Sequence, residues 1–530
     1  MALAITAMTF VGCTDLDTVP EGYYVTEDQK NETVTLDPSK AEAGVNAVFA
    51  QFNQYCPNAD ALGASRHNDF GYAALMMMMD TNGYDVPSAN NGYNWAGNEL
   101  TYEDRLYTSL ESTIFWNTLY KQVFTTNSVI ASIDGETTDP VSQFYLAQGL
   151  AGRAFNYWVL AQLYQFNYVG NESKLCVPLI TEENASTAGV EGTPRATVAE
   201  VYELIMSDLN KAIDLLEATT KTPGDKRYIS KAVAYGLRAR VNLTMQKWNE
   251  AASDADKAIA SFSGHPYSKA DVSVPTFWDS NDSAWMWAIL VAETDRVVTS
   301  GIVNWPSHMH SLSSGYNTRC GGRQINKALY NTIPESDVRK GWWLNEDLVS
   351  PNLNSEQAKF MENTKYPAYT NVKFAPYQNM VGTTTNANDV PLMRIEEMYL
   401  IKAEGLAMSG NTGEAKTFLE NFIKSYRDEN YTCKATSATD LQNEVYRQRR
   451  IELWGEGLSW FDILRLNKDM DRRGGGYTDA AIVLNIPAGS PILLYRLPEA
   501  EIQSNPQISE ADNNEAAPSP RHCFPRKDLP

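Results

Sequence analysis

Histidine and cysteine are scarce in this sequence, and their placement excludes several kinds of site. The chain has 530 residues with only 5 histidines and 6 cysteines, and it contains no HExxH motif and no CxxC pair. Besides Cys13, the cysteines are far apart in sequence, at Cys56, Cys176, Cys320, Cys433 and Cys523. Such spacing fits neither a zinc site nor a disulfide framework, and it leaves room for one incidental bridge at most.

Basic residues are fewer than acidic residues in this chain. The chain has 44 Lys and Arg against 65 Asp and Glu, a net charge of −21, and its pI is near 4.8. An acidic surface repels phosphate backbones and anionic lipid headgroups. We therefore expect no nucleic-acid partner and no electrostatic binding to a membrane.

The sequence also lacks an apolar run long enough to span a membrane. A bilayer core needs about 20 apolar residues, whereas residues 2–11 form a run about half as long and end in FVGC. This run is typical of the end of a secretion signal, although the usual basic start is missing. The FVGC junction resembles a bacterial lipoprotein box, in which Cys13 would be acylated. We predict a signal remnant over 1–12 and a lipid-anchored tether over 13–35.

Catalytic motifs are missing too. The string GNTGEAKT at 410–417 has Ala415 where a phosphate loop needs glycine, and GLSWF at 457–461 lacks the second glycine of a nucleophile elbow. A pair of carboxylates for glycoside hydrolysis is defined by space rather than by sequence, so that alternative stays open. We expect a protein that is not an enzyme.

Metal ligands are few. His308 and His310 could bind a metal only with a third ligand that the sequence does not identify. Asp80, Asn82 and Asp85 are spaced like oxygen ligands of a calcium loop, but Gly83 is misplaced for an EF-hand. We predict no cofactor and leave a structural calcium ion open.

Helical periodicity is the strongest signal that is present. Apolar residues recur at steps of three and four over 395–407 and again over 415–426, which predicts two amphipathic helices joined by a short turn. The openings WNEA at 248–251 and TGEA at 412–415 resemble tetratricopeptide turns. We predict a mainly α fold of tetratricopeptide-like helical repeats forming an α-α superhelix, with repeats over about 105–262 and 391–467. Further helices are predicted at 37–54, 106–133, 140–165 and 195–218.

Between the repeats the composition changes. Residues 271–385 are rich in Gly, Asn, Ser, Pro and aromatics, and the tail from about 474 is also loop-like. We predict a ligand-side insert and an irregular tail within one domain over 36–530. Short strands are predicted at 285–291, 369–374 and 492–497.

Charge is crowded into the last predicted helices. The spacing predicts ion pairs between Arg449 and Glu452 and between Asp462 and Arg465, each three residues apart. Together with Glu456, these residues are interpreted as a structural network rather than a catalytic cluster, because arginine–carboxylate forks fix geometry.

The same region carries a resemblance. Its motif strings are similar to the C-terminal signature of the SusD/RagB family of outer-membrane nutrient-uptake lipoproteins, with Gln448 and Ser459 as departures from the usual Glu and basic residue. The matching residues are Arg394, Glu397, Tyr399, Leu400, Ala403, Glu404, Arg449, Arg450, Glu452, Leu453, Glu456, Gly457, Asp462 and Arg465. The resemblance implies a lipid-anchored, cell-surface protein that captures oligosaccharides and passes them to a TonB-dependent, SusC-like transporter. A RagB-like peptide carrier is the alternative, and a glycoside hydrolase is a weaker one.

Aromatic residues in polar loops are the candidate ligand contacts. A sugar has an apolar face that stacks on Trp or Tyr, and the SusD-like pattern places its ligand platform in two loop regions of this chain. In those two loops we predict eight ligand-binding residues: Tyr93, Trp95, Trp305, His308, Tyr316, Asn317, Arg319 and Arg323. Arg319 and Arg323 would suit carboxylates or acidic sugars.

Overall fold

Stacked α-helices make up most of the chain. The computed structural model describes residues 26–56, 68–87, 96–477 and 482–516. Cys13, Tyr93 and Trp95 lie outside these ranges. The helices up to the insert are α1 Glu27–Leu36, α2 Ala41–Ala50, α3 Tyr72–Asn82, α4 Gly97–Thr101, α5 Leu110–Ala131, α6 Pro140–Tyr164, α7 Ala185–Glu191, α8 Val198–Ala218, α9 Lys231–Thr244 and α10 Trp248–Ser261.

The insert holds short helices, and the repeats then resume. Insert helices are α11 Lys269–Val272, α12 Arg296–Thr299, α13 Trp305–Met309, α14 Asn317–Cys320, α15 Lys327–Tyr330 and α16 Ser355–Thr364. The remaining helices are α17 Ile395–Met408, α18 Thr412–Tyr426, α19 Ala438–Glu452, α20 Ser459–Arg465 and α21 Glu499–Ser504. Short 3₁₀ turns lie at Pro38–Lys40, Gln51–Asn53, Glu103–Arg105, Val338–Trp342, Tyr377–Asn379, Pro491–Leu493 and Glu510–Asp512.

The helices pack in a continuous series that confirms the predicted fold class. α5 packs on α6, α6 on α8, α8 on α9, α9 on α10, α10 on α17, and α17 on both α18 and α19. The insert therefore leaves the stack after α10, and the chain returns to it at α17. A Cβ on Gly405 would lie 2.6 Å from the Trp248 carbonyl oxygen, so glycine is what lets α17 approach α10 this closely.

Three two-stranded antiparallel sheets tie the loops to the stack. Their strands are β1 Leu175–Pro178 with β2 Arg195–Thr197, β3 Trp285–Ile289 with β4 Val390–Arg394, and β5 Met470–Asp471 with β6 Asn485–Ile486. β3 confirms the strand predicted at 285–291, two residues shorter. Because Ile289 pairs with Val390 and Trp285 with Arg394, this ribbon closes the base of the insert.

The structure corrects three local expectations. The segment 492–497 is no strand: Pro491–Leu493 is a 3₁₀ turn, and the Tyr495 amide donates to the Leu163 carbonyl at the end of α6 rather than to a strand. Residues 369–374 form only isolated bridges. Part of the tether predicted over 13–35 is helical, because Thr26 and Gln29 form a capping box that starts α1.

A capping box also starts α8 and offers a test of local stability. The Thr197 amide donates to the Glu200 carboxylate at 2.7 Å, and the Glu200 amide donates to the Thr197 hydroxyl at 3.3 Å. We expect Thr197→Ala to lower the free energy of unfolding by about 1 kcal/mol, measured by urea denaturation. Thr417→Ala is the control, because Thr417 is an exposed mid-helix residue of α18 and alanine favours helix there. Equal losses in the two variants would contradict the assigned cap.

Candidate functional site

The predicted ligand residues of the insert form a buried cluster. The Trp305 ring, 1% exposed, packs edge-on against Phe374 with ring centroids 4.9 Å apart. His308 stacks on Phe70 at 5.7 Å and lies 4.5 Å from the Tyr316 ring. With their faces covered by protein, Trp305 and Tyr316 could stack on a ligand only if the insert opened.

The polar residues of the predicted ligand set divide into buried and exposed members. The Asn317 amide donates to the His310 carbonyl inside the cluster, and Arg323 is buried with its Nη2 3.8 Å from the Met77 sulfur. Arg319, by contrast, is exposed on the surface. The structure thus gathers the insert's aromatic and amide residues in the interior and leaves one arginine of the set outside.

Neither suggested metal set converges in the structure. Asp80 accepts the Gly457 amide at 2.9 Å, Asn82 donates to Asp104 at 3.0 Å, and Asp85 accepts from the Arg450 guanidinium at 2.9 Å. These three side chains, for which the spacing left a calcium ion open, therefore bind protein groups instead of converging on one point. His310 Nδ1 is 2.9 Å from the Ala375 carbonyl, and burial lowers the pKa of His310 to about 3. Over the described ranges, no group of three or more His, Cys, Asp and Glu side chains could hold a metal ion.

A cleft of about 790 Å³ opens next to the buried cluster, and we call it the Tyr55 cleft. One wall follows the end of α2, and the other follows β3 and the start of α12. Its lining residues are Phe49, Ala50, Asn53, Gln54, Tyr55, Cys56, Arg227, Ala288, Ile289, Leu290, Val291, Ala292, Asp295 and Arg296. The Cys56 amide donates to Asp69 at 2.7 Å, and Asp69 precedes Phe70, which stacks on His308. The cleft is therefore one layer away from the insert residues that the sequence singled out.

An aromatic ring under a guanidinium is the main feature of the Tyr55 cleft. Tyr55 is half-buried, and the Arg296 guanidinium carbon lies 5.0 Å from its ring centroid. Asn53 Nδ2 and the Ala292 amide both donate to Asp295 Oδ2 at 2.9 Å, which fixes the two walls relative to each other. The cleft presents apolar surface, side-chain amides and charge side by side, a combination by which pockets bury a ligand and fix its orientation.

Among the described lining residues, the cleft lacks the pair of carboxylic acids that acid–base hydrolysis uses. Glycoside hydrolysis in the usual mechanism uses two carboxylic acids that flank the bond. Of the lining residues that the structure describes, only Asp295 has a carboxylate, and its hydrogen bonds hold it to the wall.

Sequence reasoning missed both Tyr55 and Arg296. The criterion that selected Tyr93 and Trp95, an aromatic residue among polar loop residues, fits Tyr55 equally well, because it follows Asn53 and Gln54. Arg296 has no such signal, since only the fold places it over the Tyr55 ring.

A second, smaller groove of about 470 Å³ runs along α5, and we call it the α5 groove. Trp116, Tyr120 and Phe124 line it at four-residue spacing, and only Phe124 is well exposed, at 57%. Trp116 donates to Glu501 at 3.2 Å and Tyr120 to the Pro178 carbonyl at 2.7 Å. The hydrogen bonds of Trp116 and Tyr120 thus attach α5 to the tail and to β1.

Family models match two stretches that together cover most of the chain. Residues 27–243 match a SusD-like family described as starch-binding and associating with the outer membrane, and residues 343–514 match the SusD family model. The chain belongs to the SusD/RagB family. Two SusD-like proteins of Formosa agariphila are each 22% identical to it, one over 69% of this chain and 75% of its own length, the other over 87% and 88%.

Solved structures agree with this SusD/RagB assignment at the level of the fold. A SusD-like carbohydrate-binding protein from Bacteroides vulgatus has a TM-score of 0.72 at 22% identity, with 90% of this chain and 98% of that chain covered. A surface glycan-binding protein from Bacteroides thetaiotaomicron, solved with laminarihexaose, has a TM-score of 0.63 at 15% identity, covering 91% and 99%. No helix within the described ranges has the length and apolar character needed to cross a membrane.

The SusD/RagB signature residues form a buried ion network rather than a ligand site. Glu452 accepts from Arg427 at 2.7 Å and from Arg394 and Arg339 at 3.2 Å, and all four side chains are fully buried. Glu456 pairs with Arg394 at 2.8 Å and with Lys373 at 2.7 Å. The network joins the insert to β4, α18 and α19, which confirms its structural interpretation.

One of the two predicted local ion pairs is wrong. Asp462 and Arg465 pair at 2.7 Å as expected, but Arg449 bonds to Asp462, also at 2.7 Å, instead of to Glu452. Arg427, Arg394 and Arg339 surround Glu452 and leave it no side open for Arg449. Helical spacing could not reveal this competition, because the three arginines come from distant segments.

Proposed function

We propose that this protein captures oligosaccharides in the Tyr55 cleft at the cell surface and passes them to a TonB-dependent, SusC-like transporter without cleaving them. The half-buried Tyr55 ring that lines the cleft carries the proposal, because part of its apolar surface reaches solvent there, unlike the buried rings of Trp305 and Tyr316. The family description of starch binding and the laminarihexaose complex of a structural relative support a glycan as the ligand class.

The energy of stacking favours weak, reversible capture. Covering about 60 Å² of apolar sugar surface on one aromatic ring contributes about 1.5 kcal/mol at about 25 cal/mol per Å². A few such contacts, less the cost of immobilising the ligand, correspond to dissociation constants between about 1 μM and 1 mM. Affinities in this range suit a protein that must release its cargo to a transporter.

Tyr55→Ala tests the proposed site. A glycan array first identifies a ligand for the full chain, and titration calorimetry then compares the variants. We expect Tyr55→Ala to weaken binding by about tenfold, the loss of one stacking contact. Tyr107→Ala is a matched control, because Tyr107 is also half-buried under a guanidinium, that of Arg496 at 4.9 Å, but lies outside the cleft.

Other outcomes would exclude the proposal. Unchanged binding in Tyr55→Ala would remove the cleft as the site. Co-purified peptides in the absence of any glycan binding would favour the peptide carrier instead. Release of shortened products from any bound glycan would contradict a non-catalytic role.

We also propose that the protein is anchored at the outer-membrane surface through acylated Cys13. Cys13→Ser should release it from membrane fractions of its native host, as followed by immunoblot. Retention of the variant in the membrane fraction would contradict this anchor.

A further inference from the structure

We infer that the Tyr55 cleft takes acidic oligosaccharides, with Arg296 binding the carboxylate or sulfate of the sugar that stacks on Tyr55. This inference rests on the proposed function and adds the chemical class of the ligand.

The first observation is the state of the Arg296 side chain. Arg296 is exposed. Its guanidinium carbon lies 5.0 Å from the centroid of the Tyr55 ring. Among the residues that the structure describes, none forms a hydrogen bond or an ion pair with this guanidinium. Its N–H donors therefore stay available for a ligand, and stacking on the ring limits the orientations of the fork.

Arg296 differs in this respect from the other charged residues of the cleft. Arg227 lies 3.2 Å from the Asp225 carboxylate, and Asp295 is held by Asn53 and the Ala292 amide. Arg227 and Asp295 are thus already compensated or fixed, whereas Arg296 is not.

The second observation is the contrast between the cleft and the whole chain. The chain has a net charge of −21, yet the described lining of the cleft holds two arginines and one aspartate. At physiological ionic strength the Debye length is about 8 Å, so the distant acidic surface is largely screened from a ligand inside the cleft. Within the described lining, Arg296 then supplies the positive charge that attracts a ligand, since Asp225 already compensates Arg227.

Ring and guanidinium together define the ligand chemistry. Guanidinium binds a carboxylate through two parallel hydrogen bonds, and it binds sulfate-like oxyanions through the same donors. A sugar unit with an acidic substituent can place its apolar face on Tyr55 and its oxyanion on Arg296. A neutral sugar can also stack on the ring, but the N–H groups of the guanidinium then stay hydrogen-bonded to water.

Matched pairs of glycans test this inference by titration calorimetry on the full chain. One pair is oligogalacturonate and its methyl ester, and the other is a sulfated oligosaccharide and its desulfated form. We expect at least one acidic member to bind about ten- to a hundredfold more tightly than its neutral partner, since hydrogen bonds between charged groups are the strong ones. The pair that shows the difference identifies carboxylate or sulfate as the source of the charge.

Variants assign the difference to Arg296. We expect Arg296→Gln to abolish the preference, so that the ratio of the acidic to the neutral affinity falls to about one. Arg296→Lys should retain part of the preference, because it keeps the charge but loses the fork. Arg473→Gln is the control for a general change of charge, because Arg473 pairs with Asp471 on the surface and does not line the cleft. Melting temperatures verify that all three variants are folded.

The outcomes separate this inference from the proposed function. Equal affinity within both pairs, or a preference that survives Arg296→Gln, overturns the inference. If neutral glycans then still depend on Tyr55, the proposed function stands alone. Failure of all glycans to bind overturns both.

Discussion

Glu452→Gln is expected to lower the free energy of unfolding by about 3–5 kcal/mol, the usual cost of breaking a buried ion pair by removing one partner. Glu452 sits among Arg427, Arg394 and Arg339, and the side chains of all four residues are buried. The neutral amide would leave these guanidiniums without their shared carboxylate. Urea denaturation at pH 7 measures the loss.

The pH dependence of this contribution has a definite sign. Burial alone would raise the pKa of the Glu452 carboxyl, but the surrounding guanidiniums, Arg427 first, hold that pKa well below its usual range. A depressed pKa means that the folded state binds the proton less readily than the unfolded chain. The stabilising effect is therefore fully present above about pH 4.5, the ordinary value for Glu, and is lost as the pH falls below it.

Glu335→Gln is the control for the loss of a carboxylate. Glu335 pairs with Lys340 on the surface, where its side chain is 90% exposed. We expect a change below about 1 kcal/mol there. If Glu452→Gln cost no more than this control, the buried network would not hold the insert to the helices.

Asp80→Asn is expected to stabilise the protein by about 3–5 kcal/mol at pH 8 and to have little effect near pH 4. Burial raises the pKa of Asp80 to about 8, and the charges of Asp85 and Glu456 add to the increase. Between about pH 4 and pH 8 the folded chain holds a proton that the unfolded chain releases, so the wild type loses stability as the pH rises. Asparagine removes this loss and can still accept the Gly457 amide.

The measurement is the unfolding free energy as a function of pH for both proteins. The wild-type curve should fall between pH 4 and pH 8 more steeply than the Asp80→Asn curve. Asp347→Asn is the control, because Asp347 is exposed in the insert. Parallel curves for wild type and Asp80→Asn would show that the buried carboxyl does not govern the pH response.

Hydrophobic periodicity predicted the helical scaffold because the signals that mark a helix lie within the helix's own sequence. The apolar stripes of α17 and α18 and the proline at the start of α6 report which residues form helices, whatever lies elsewhere in the chain. The strand β4 was missed because Val390–Arg394 is a short apolar run directly before α17. Its strand conformation depends on pairing with β3, more than a hundred residues earlier.

The candidate site was less predictable because it depends on burial between distant segments. Composition indicated correctly that the insert carries the aromatic residues, but not which of their faces meet solvent. Trp305 lies at the start of α13 with its ring 4.9 Å from that of Phe374, a residue about seventy positions later in the chain. Tyr55 and Arg296 are 241 residues apart and meet only in the folded chain.

A structure of the full chain with a bound oligosaccharide tests the central claim most directly. The array-selected glycan would be soaked into crystals at several times its dissociation constant. The account predicts a sugar ring stacked on Tyr55, with its polar edge toward Asn53 and Arg296. A sugar bound in the α5 groove instead, with the Tyr55 cleft empty, would contradict it.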